Sequence, residues 1–436
     1  MRAVNQKLKN LAASLHGHFA SRIYKLTSSP GQLYIVVTTV DNWITDMIFV
    51  VSRLEAADED VLGLIYEQRE TLRYSVAQGP HRWTGFFRRT TFARALQGSN
   101  GIEGINASLS EAVAIVDDEK PESVEAETYR ALSGYRNALT YVLQTHDDPY
   151  FEMNAQVIKS LHFMMLSYDL TKMPGQWRST PVAVIRKQTG ETLYEGPDAA
   201  LVPKLMDELV AALISDEKVD PMVRGAMAHL NLTMIHPFKD GNGRMARALQ
   251  TLVIARDGVL SPVFCSIEEW LGRNTDAYYN ILGDVGRGHW HPDRDALPWI
   301  KFCLRAHFQQ AATLIQRNRA MSRAFEDISK LIAKHRLPQR VEMALADATF
   351  GYRVKSGRYQ TENSVSDVVA SRDLRHLCEL GLLEAIGEKR GRFYVAGEIL
   401  KGVYAKARTD DVRAADPYEI IKGGVPRAQP RLPRVR

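Results

Sequence analysis

From Leu54 onward, apolar residues recur every three or four positions in one segment after another: Leu54 to Ala77, Gly85 to Leu96, Ser123 to Thr145, Asn154 to Ser167, Pro197 to Ile214 and Met222 to His236. That period is the helical one, so the chain is expected to be mainly α. One stretch breaks the rhythm. Gln176 to Arg186 is followed by the turn Gln188-Thr189-Gly190 and the short run Glu191 to Tyr194, which reads as a lone β-hairpin between helices. Two strands bury no face by themselves, so such a hairpin serves either as a lid or docking edge, or as a structural elbow.

The ends read differently. Before Leu54 the signals are mixed, with a β-like run Leu33 to Thr39 after Ser29-Pro30-Gly31. After Leu337 the order is a helix around Gln339 to Ala348, a loop with Gly351 and Gly357, and a helix Ser366 to Leu380. The strand Gly381 to Ile386, the turn Gly387 to Gly391 and the strand Arg392 to Val395 complete it. This is the order of a small α+β winged helix. Beyond Gly402, prolines among arginines read as a basic disordered arm. The expected divisions are residues 1–52, an extension left unassigned; 53–122, helical; 123–320, the main helical bundle; 321–402, the winged helix; and 403–436, the arm.

Charge narrows the functional classes. Lys plus Arg number 56 against 51 Asp plus Glu, and residues 401–436, with nine basic and four acidic side chains, supply the whole excess. The body is near neutral, which gives no electrostatic argument for nucleic acid there. Apolar stretches such as Leu33 to Val37 and Met47 to Val51 are five residues long, against the roughly 20 that span a bilayer. The N-terminal basic residues lead into no apolar signal core. Cys265, Cys303 and Cys378 lie far apart with no CxxC pair. A reducing cytoplasm and no membrane are therefore expected. His16-x-His18 and His289-x-His291 lack the companion Cys or carboxylates of a zinc site.

The chemistry concentrates in Ile235-His236-Pro237-Phe238-Lys239-Asp240-Gly241-Asn242-Gly243-Arg244-Met245-Ala246-Arg247. Pro237 disfavours helical geometry at His236, so a helix should end there with the imidazole on its edge. Gly241-Asn242-Gly243 can take positive φ and turn its N–H groups into one concavity, ahead of a helix starting near Arg244. Arg244 and Arg247 share a face of that helix and can grip one polyphosphate. Asp240 suits Mg²⁺. Together they imply phosphoryl or nucleotidyl transfer, with His236 taking the proton of an attacking hydroxyl. Each part alone is commoner as plain structure; their joint occurrence is what carries the reading.

His236 to Arg247 resembles the signature of the Fic family, HxFx(D/E)GNGRxxR, at every fixed position. The resemblance implies a Fic-type helical bundle and a protein adenylyltransferase, which moves AMP from ATP to a Ser, Thr or Tyr hydroxyl of a target protein. It implies that His236 is the base, Phe238 anchors the loop, Asp240 holds Mg²⁺, Gly241, Asn242, Gly243 and Arg244 cradle the α- and β-phosphates, and Arg247 grips the γ-phosphate. Gly175-Gln176-Trp177-Arg178 and the hairpin resemble the family's flap, with Val182, Val184 and Ile185 docking the target's backbone. Tyr278-Tyr279 resembles the pair beside the adenine. The likeness covers roughly Ser123 to Phe308.

Upstream, Ser99-Asn100-Gly101-Ile102-Glu103-Gly104 resembles the family's inhibitory pattern (S/T)xxxE(G/N). It implies a short helix that brings Glu103 to Arg247 in a bidentate bridge, against the reading of residues 98–104 as a glycine-rich loop; Gly101 weakens that helix by about 1 kcal/mol. The expectation is a self-inhibited adenylyltransferase using ATP and Mg²⁺ and modifying targets and itself. The alternatives are AMP removal, with Glu103 positioning a water, and a DNA-binding regulator whose Fic core senses ATP. Ser371, Arg372 and Arg375 could contact DNA, but Asp367, Asp373 and Glu379 on the same helix weigh against it. The target, the oligomeric state and the winged helix's partner are left open.

Overall fold

The structure, a computed structural model, describes residues 25–29, 32–36, 47–185, 192–215, 218–256, 258, 262–388, 391–408 and 414–424. The chain divides into two units at Met47/Ile48. In the first, β1 (Lys25–Ser29) and β2 (Gln32–Val36) pair antiparallel, Lys25 opposite Val36. Of the β-like run Leu33 to Thr39, residues 33–36 fall in β2 and residues 37–39 lie outside the described residues.

The second unit is helical, as the apolar period requires, and the structure is mostly helical, at 67% helix and 5% strand. Its first helices are α1 (Ala56–Ala77), α2 (His81–Ile102), α3 (Leu109–Val116), α4 (Ala126–Thr145) and α5 (Ala155–Leu166). A hairpin of β3 (Ala183–Ile185) and β4 (Thr192–Glu195) precedes α6 (Val202–Ser215), α7 (Pro221–Ile235) and α8 (Asn242–Ala255). Then come α9 (Glu268–Arg273), α10 (Thr275–Gly286), β5 (Gly288–His289) and α11 (Leu297–Lys334).

At the centre lies the pair α7 and α8, buried on nearly every side, as helices without a polar face must be. The amphipathic helices α4, α5, α6 and α11 pack around it. Trp299 fixes α11 to this core by donating its indole N–H to the Ala226 carbonyl at 2.7 Å. Helix α2 lies so close to α9 that a Cβ at Gly98 would stand 2.5 Å from the Glu268 carbonyl oxygen, and one at Gly272 would stand 2.8 Å from the Gly98 Cα.

The hairpin is not alone: β5 adds to β4 in parallel, Tyr194 opposite Gly288, giving the order β3-β4-β5. The chain return after α10 brings Gly288 alongside β4, a long-range pairing that local sequence does not announce.

The C-terminal part comprises α12 (Glu342–Thr349), α13 (Ser356–Asn363), α14 (Asp367–Glu379), β6 (Leu383–Ile386), β7 (Phe393–Ala396), α15 (Glu398–Ala407) and α16 (Pro417–Lys422). A bridge between Val354 and Tyr394 joins the hairpin of β6 and β7 to the loop before α13. Three expectations are corrected here. The loop with Gly351 and Gly357 contains α13, since Gly357 falls in its first turn, where glycine costs least. The boundary at 320/321 falls inside α11, a helix of 38 residues and about 57 Å. The arm is folded over its described part, residues 403–408 and 414–424: Tyr418 donates to Asp58 at 2.9 Å and Arg305 pairs with Asp416 at 2.6 Å. Among the described residues no helix is long and apolar enough to cross a membrane.

Two glycines of α2 test this packing in opposite directions. Gly85 has open space where a Cβ would stand, so Gly85→Ala should stabilise the protein by about 0.5–1 kcal/mol. Gly98→Ala must push α2 off α9 and should cost about 1–3 kcal/mol. Urea unfolding of the two variants checks both signs.

Candidate functional site

The site begins where α7 ends. His236 takes φ +52°, left-handed, and its N–H still closes the last turn on Leu232 O at 3.0 Å. Pro237 offers no N–H to continue. The loop is then tied by one side chain: Asn242 Oδ1 accepts the Phe238 N–H at 2.9 Å, and its Nδ2 donates to the Phe238 carbonyl at 2.8 Å. Of Gly241-Asn242-Gly243 only Gly241 is left-handed, at φ +77°, and α8 starts at Asn242 rather than near Arg244. The nest expected over three residues is therefore one turn residue and a helix start, because the Asn242 side chain is committed to closing the loop. Gly243 leaves room for the Glu103 carboxylate, since a Cβ there would displace Oε1 and stand 3.2 Å from Arg247 Nη1.

Beneath the loop Arg244 and Arg247 are buried. Arg244 Nε and Nη1 and Arg247 Nη1 have no hydrogen-bond partner among the described residues. Buried donors are normally satisfied, and these stand beside the positive end of α8, so the site has the donors a polyphosphate needs. Behind them Tyr135 donates to Glu268 at 2.8 Å, and burial pushes the Glu268 carboxyl up to about 7.

Glu103 reaches this cradle. Arg247 Nε donates to Ser99 Oγ at 2.7 Å, and Nη2 donates to the Ser99 carbonyl at 2.9 Å and to Glu103 Oε1 at 2.7 Å. Burial alone would lower the Arg247 pKa, but the Glu103 carboxylate outweighs it and the net shift is upward. Two expectations change. The motif is the last turn of the 22-residue α2, with Glu103 at its C-cap and Gly104 at φ +80° beyond, not a short separate helix. The contact uses one carboxylate oxygen, since Ser99 takes the Nε position that a bidentate pair would need.

Of the tyrosines, Tyr278 is a core residue whose hydroxyl meets His229 Nε2 at 2.9 Å. It is thus no open ring for a base. Tyr279 is exposed, and its hydroxyl donates to Ile102 O at 3.3 Å, beside Glu103.

His236 Nδ1 lies 3.2 Å from the Thr233 carbonyl. A carbonyl only accepts, so Nδ1 carries the hydrogen and Nε2 keeps a free lone pair. Burial lowers the His236 pKa and the Arg178 guanidinium adds to this, keeping the ring neutral. Asp240 is half-exposed; burial would raise its pKa, but Lys172, Arg244 and the Gly241 N–H hold it below the usual range. A lone carboxylate offering a hard oxygen next to a phosphate cradle fits Mg²⁺. No cluster of three or more His, Cys, Asp or Glu that could hold a metal occurs among the described residues.

Three residues escaped the sequence reading of the site. Arg178, seen there only as part of the flap's approach, is buried and donates to the carbonyls of His236 at 2.8 Å, Thr180 at 2.9 Å and Pro197 at 2.6 Å. It pins both flap ends to the end of α7. His162 stacks on Phe238 at 3.6 Å. Lys172 pairs with Asp240 at 2.9 Å. A cue existed for Arg178 alone, in the Gly175-to-Arg178 run.

In the flap, Val182 and Val184 are half-buried, and β3 is an edge strand; the Ile185 side chain lies outside the described residues. His289 and His291 stack edge-on at 4.5 Å, while His16 and His18 fall outside the described residues. Arg372 and Arg375 are exposed on α14, but Asp373 is buried on Arg340 at 2.7 Å.

Residues 152–254 match the profile described as Fic/DOC family. The chain is 28% identical over 257 residues to the protein adenylyltransferase Fic of Nematostella vectensis, covering 58% of this chain and 55% of that protein. It is 34% identical over 141 residues to the protein adenylyltransferase fic-1 of Caenorhabditis elegans, covering 30% and 27%. The chain thus spans about half or less of the length of these curated relatives. Its fold is similar to that of a Fic family protein from Desulfovibrio desulfuricans G20, with a TM-score of 0.51 at 20% identity over 80% of this chain and 98% of that one.

The Arg178 fork has a distinct consequence. Lysine keeps the charge but not the geometry that serves carbonyls on three segments. Arg178→Lys should cost about 2–3 kcal/mol in urea unfolding and speed proteolytic cutting within residues 180–197 in native buffer.

Proposed function

We propose, on the premise of the Fic domain at residues 152–254, that the chain is a self-inhibited protein adenylyltransferase. The observation that carries this reading is the Arg247 guanidinium, buried at the start of α8 and bonded to Ser99 and Glu103, with Nη1 left unpartnered among the described residues. Two relatives bear the name protein adenylyltransferase, which supports AMP transfer from ATP.

The chemistry follows from the groups present. ATP lays its phosphates along the start of α8, against the unpartnered N–H groups of Arg244 and Arg247. A Ser, Thr or Tyr hydroxyl of the target, presented along β3, attacks the α-phosphorus. The new O–P bond forms as the bond to pyrophosphate breaks, and His236 Nε2 takes the hydroxyl proton. His236 needs no further activation, since it is already neutral with that lone pair free. Asp240 would hold Mg²⁺, which when bound offsets phosphate charge.

Inhibition arises at Arg247. Glu103 occupies the guanidinium that should meet the γ-phosphate, and its carboxylate repels that phosphate. Incubation with α-labelled ATP tests the reading. Glu103→Gly should raise self-labelling roughly tenfold or more, the loss of one charge-assisted bond. His236→Ala in that background should lower it about a hundredfold or more while ATP binding persists by calorimetry. Equal labelling by all forms contradicts the reading.

The pH profile checks the base separately. A lowered His236 pKa means the neutral form, the one able to take a proton, survives below pH of about 6.5 and is lost only as pH falls through the lowered value. Labelling by Glu103→Gly should therefore stay level down through pH 6.5 and drop below it. An acid limb centred at pH 7 or higher would contradict the assignment.

A further inference from the structure

We propose that Lys172 is a resident cation of the site, seated on the oxygen of Asp240 that a divalent metal would use, so that metal loading requires its side chain to swing away. The inference rests on the reading of Asp240 as the metal-side carboxylate.

Asp240 cannot turn to offer another face. Its Oδ1 accepts the Gly241 N–H at 2.6 Å. Its carbonyl accepts from His162 Nε2 at 2.9 Å, and that donor is fixed: the Gly175 N–H donates into His162 Nδ1 at 2.8 Å, so the ring hydrogen must sit on Nε2. The His162 ring is held in turn, lying 7° from parallel to Phe238. What remains is Oδ2, and Lys172 Nζ lies 2.9 Å from it.

Lys172, by contrast, can move. It ends the short 3₁₀ turn Leu170–Lys172, is part-exposed, and has a second carboxylate near it, Asp169 Oδ2 at 4.0 Å. The Tyr168 ring centroid is 5.7 Å away. The turn itself is held, because Lys239 Nζ donates to the Thr171 carbonyl at 2.9 Å. The side chain alone therefore changes places. An ammonium and a divalent cation on one oxygen repel each other, so Lys172 sets a threshold on metal, while sparing Asp240 from facing the cradle unneutralised before nucleotide arrives.

The test measures metal binding, not transfer. The full-length Glu103→Gly protein, saturated with a non-hydrolysable ATP analogue, is titrated with Mn²⁺, and free Mn²⁺ is read by electron paramagnetic resonance. Lys172→Met and Lys172→Gln should each lower half-saturation roughly tenfold, Lys172→Arg should leave it near the parent, and Asp240→Asn should abolish the bound signal. Unchanged or weaker Mn²⁺ binding by both neutral variants, checked as folded by melting, overturns the proposal; weaker binding would mean that Lys172 itself grips phosphate. Equal binding by parent and Asp240→Asn overturns it too. In that case His236-dependent labelling still decides the transferase reading on its own.

Discussion

A guanidinium buried at the centre of a helical domain must be given partners, and among the described residues the last turn of α2 supplies Arg247 with the acceptors of three hydrogen bonds, on Ser99 and Glu103. Burying such a charge without them would cost several kcal/mol. The surrounding architecture follows from that demand. Helix α2 must run long enough to bring Ser99 and Glu103 over the start of α8. It must approach α9 at a distance only Gly98 and Gly272 permit, and α8 must lack a side chain at Gly243 so that the carboxylate fits. The same pairing that satisfies the fold also fills the anion cradle. On the reading proposed here, stability and inhibition are one interaction, and substrate must offer Arg247 something better than Glu103 does.

How much of this was legible varies with the range of the interaction. The helices read between Leu54 and His236 follow the apolar period, which is local, and each is present, although α2 runs from His81 to Ile102, beyond the Gly85 to Leu96 read, α6 starts only at Val202, and α3 was not read. Residues 236–247 were legible as a site because several uncommon residues crowd into one run. The details inside it were not. Whether Asn242 lines a nest or closes a loop depends on where its amide turns, and the backbone of Phe238 claims it. Arg178, His162 and Lys172 act on residues 58, 78 and 68 positions away. No periodicity encodes such a pairing; only the packing of α5 and the flap against the end of α7 creates it. The C-terminal arginines misled in the same way, for composition says nothing of Asp58, the residue that receives Tyr418.

The C-terminal part is bonded to the helix that carries Glu103. Arg89 of α2 pairs with Asp347 of α12, and Arg358 of α13 pairs with Asp117 at the end of α3. Burial raises the Asp117 pKa to about 6 in spite of the two arginines. Phe86 of α2 packs among Phe325, Phe350 and Tyr352 at 5.4 to 6.0 Å. The end of α2 that holds Arg247 and the end that meets the C-terminal part are thus two ends of one rod.

The length of α11 has its own consequence. Its first half closes the domain through Trp299, and its second half, with Phe325, Ile328 and Ile332, forms a wall of the C-terminal part. Multidomain chains usually join their modules by linkers that let each be cut free or reoriented. Here the joint is a hydrogen-bonded helix whose flanks are both claimed, so the two halves have no seam. Whatever engages the C-terminal part acts on a shared girder, and a motion there can reach the other half only by bending it or sliding along it.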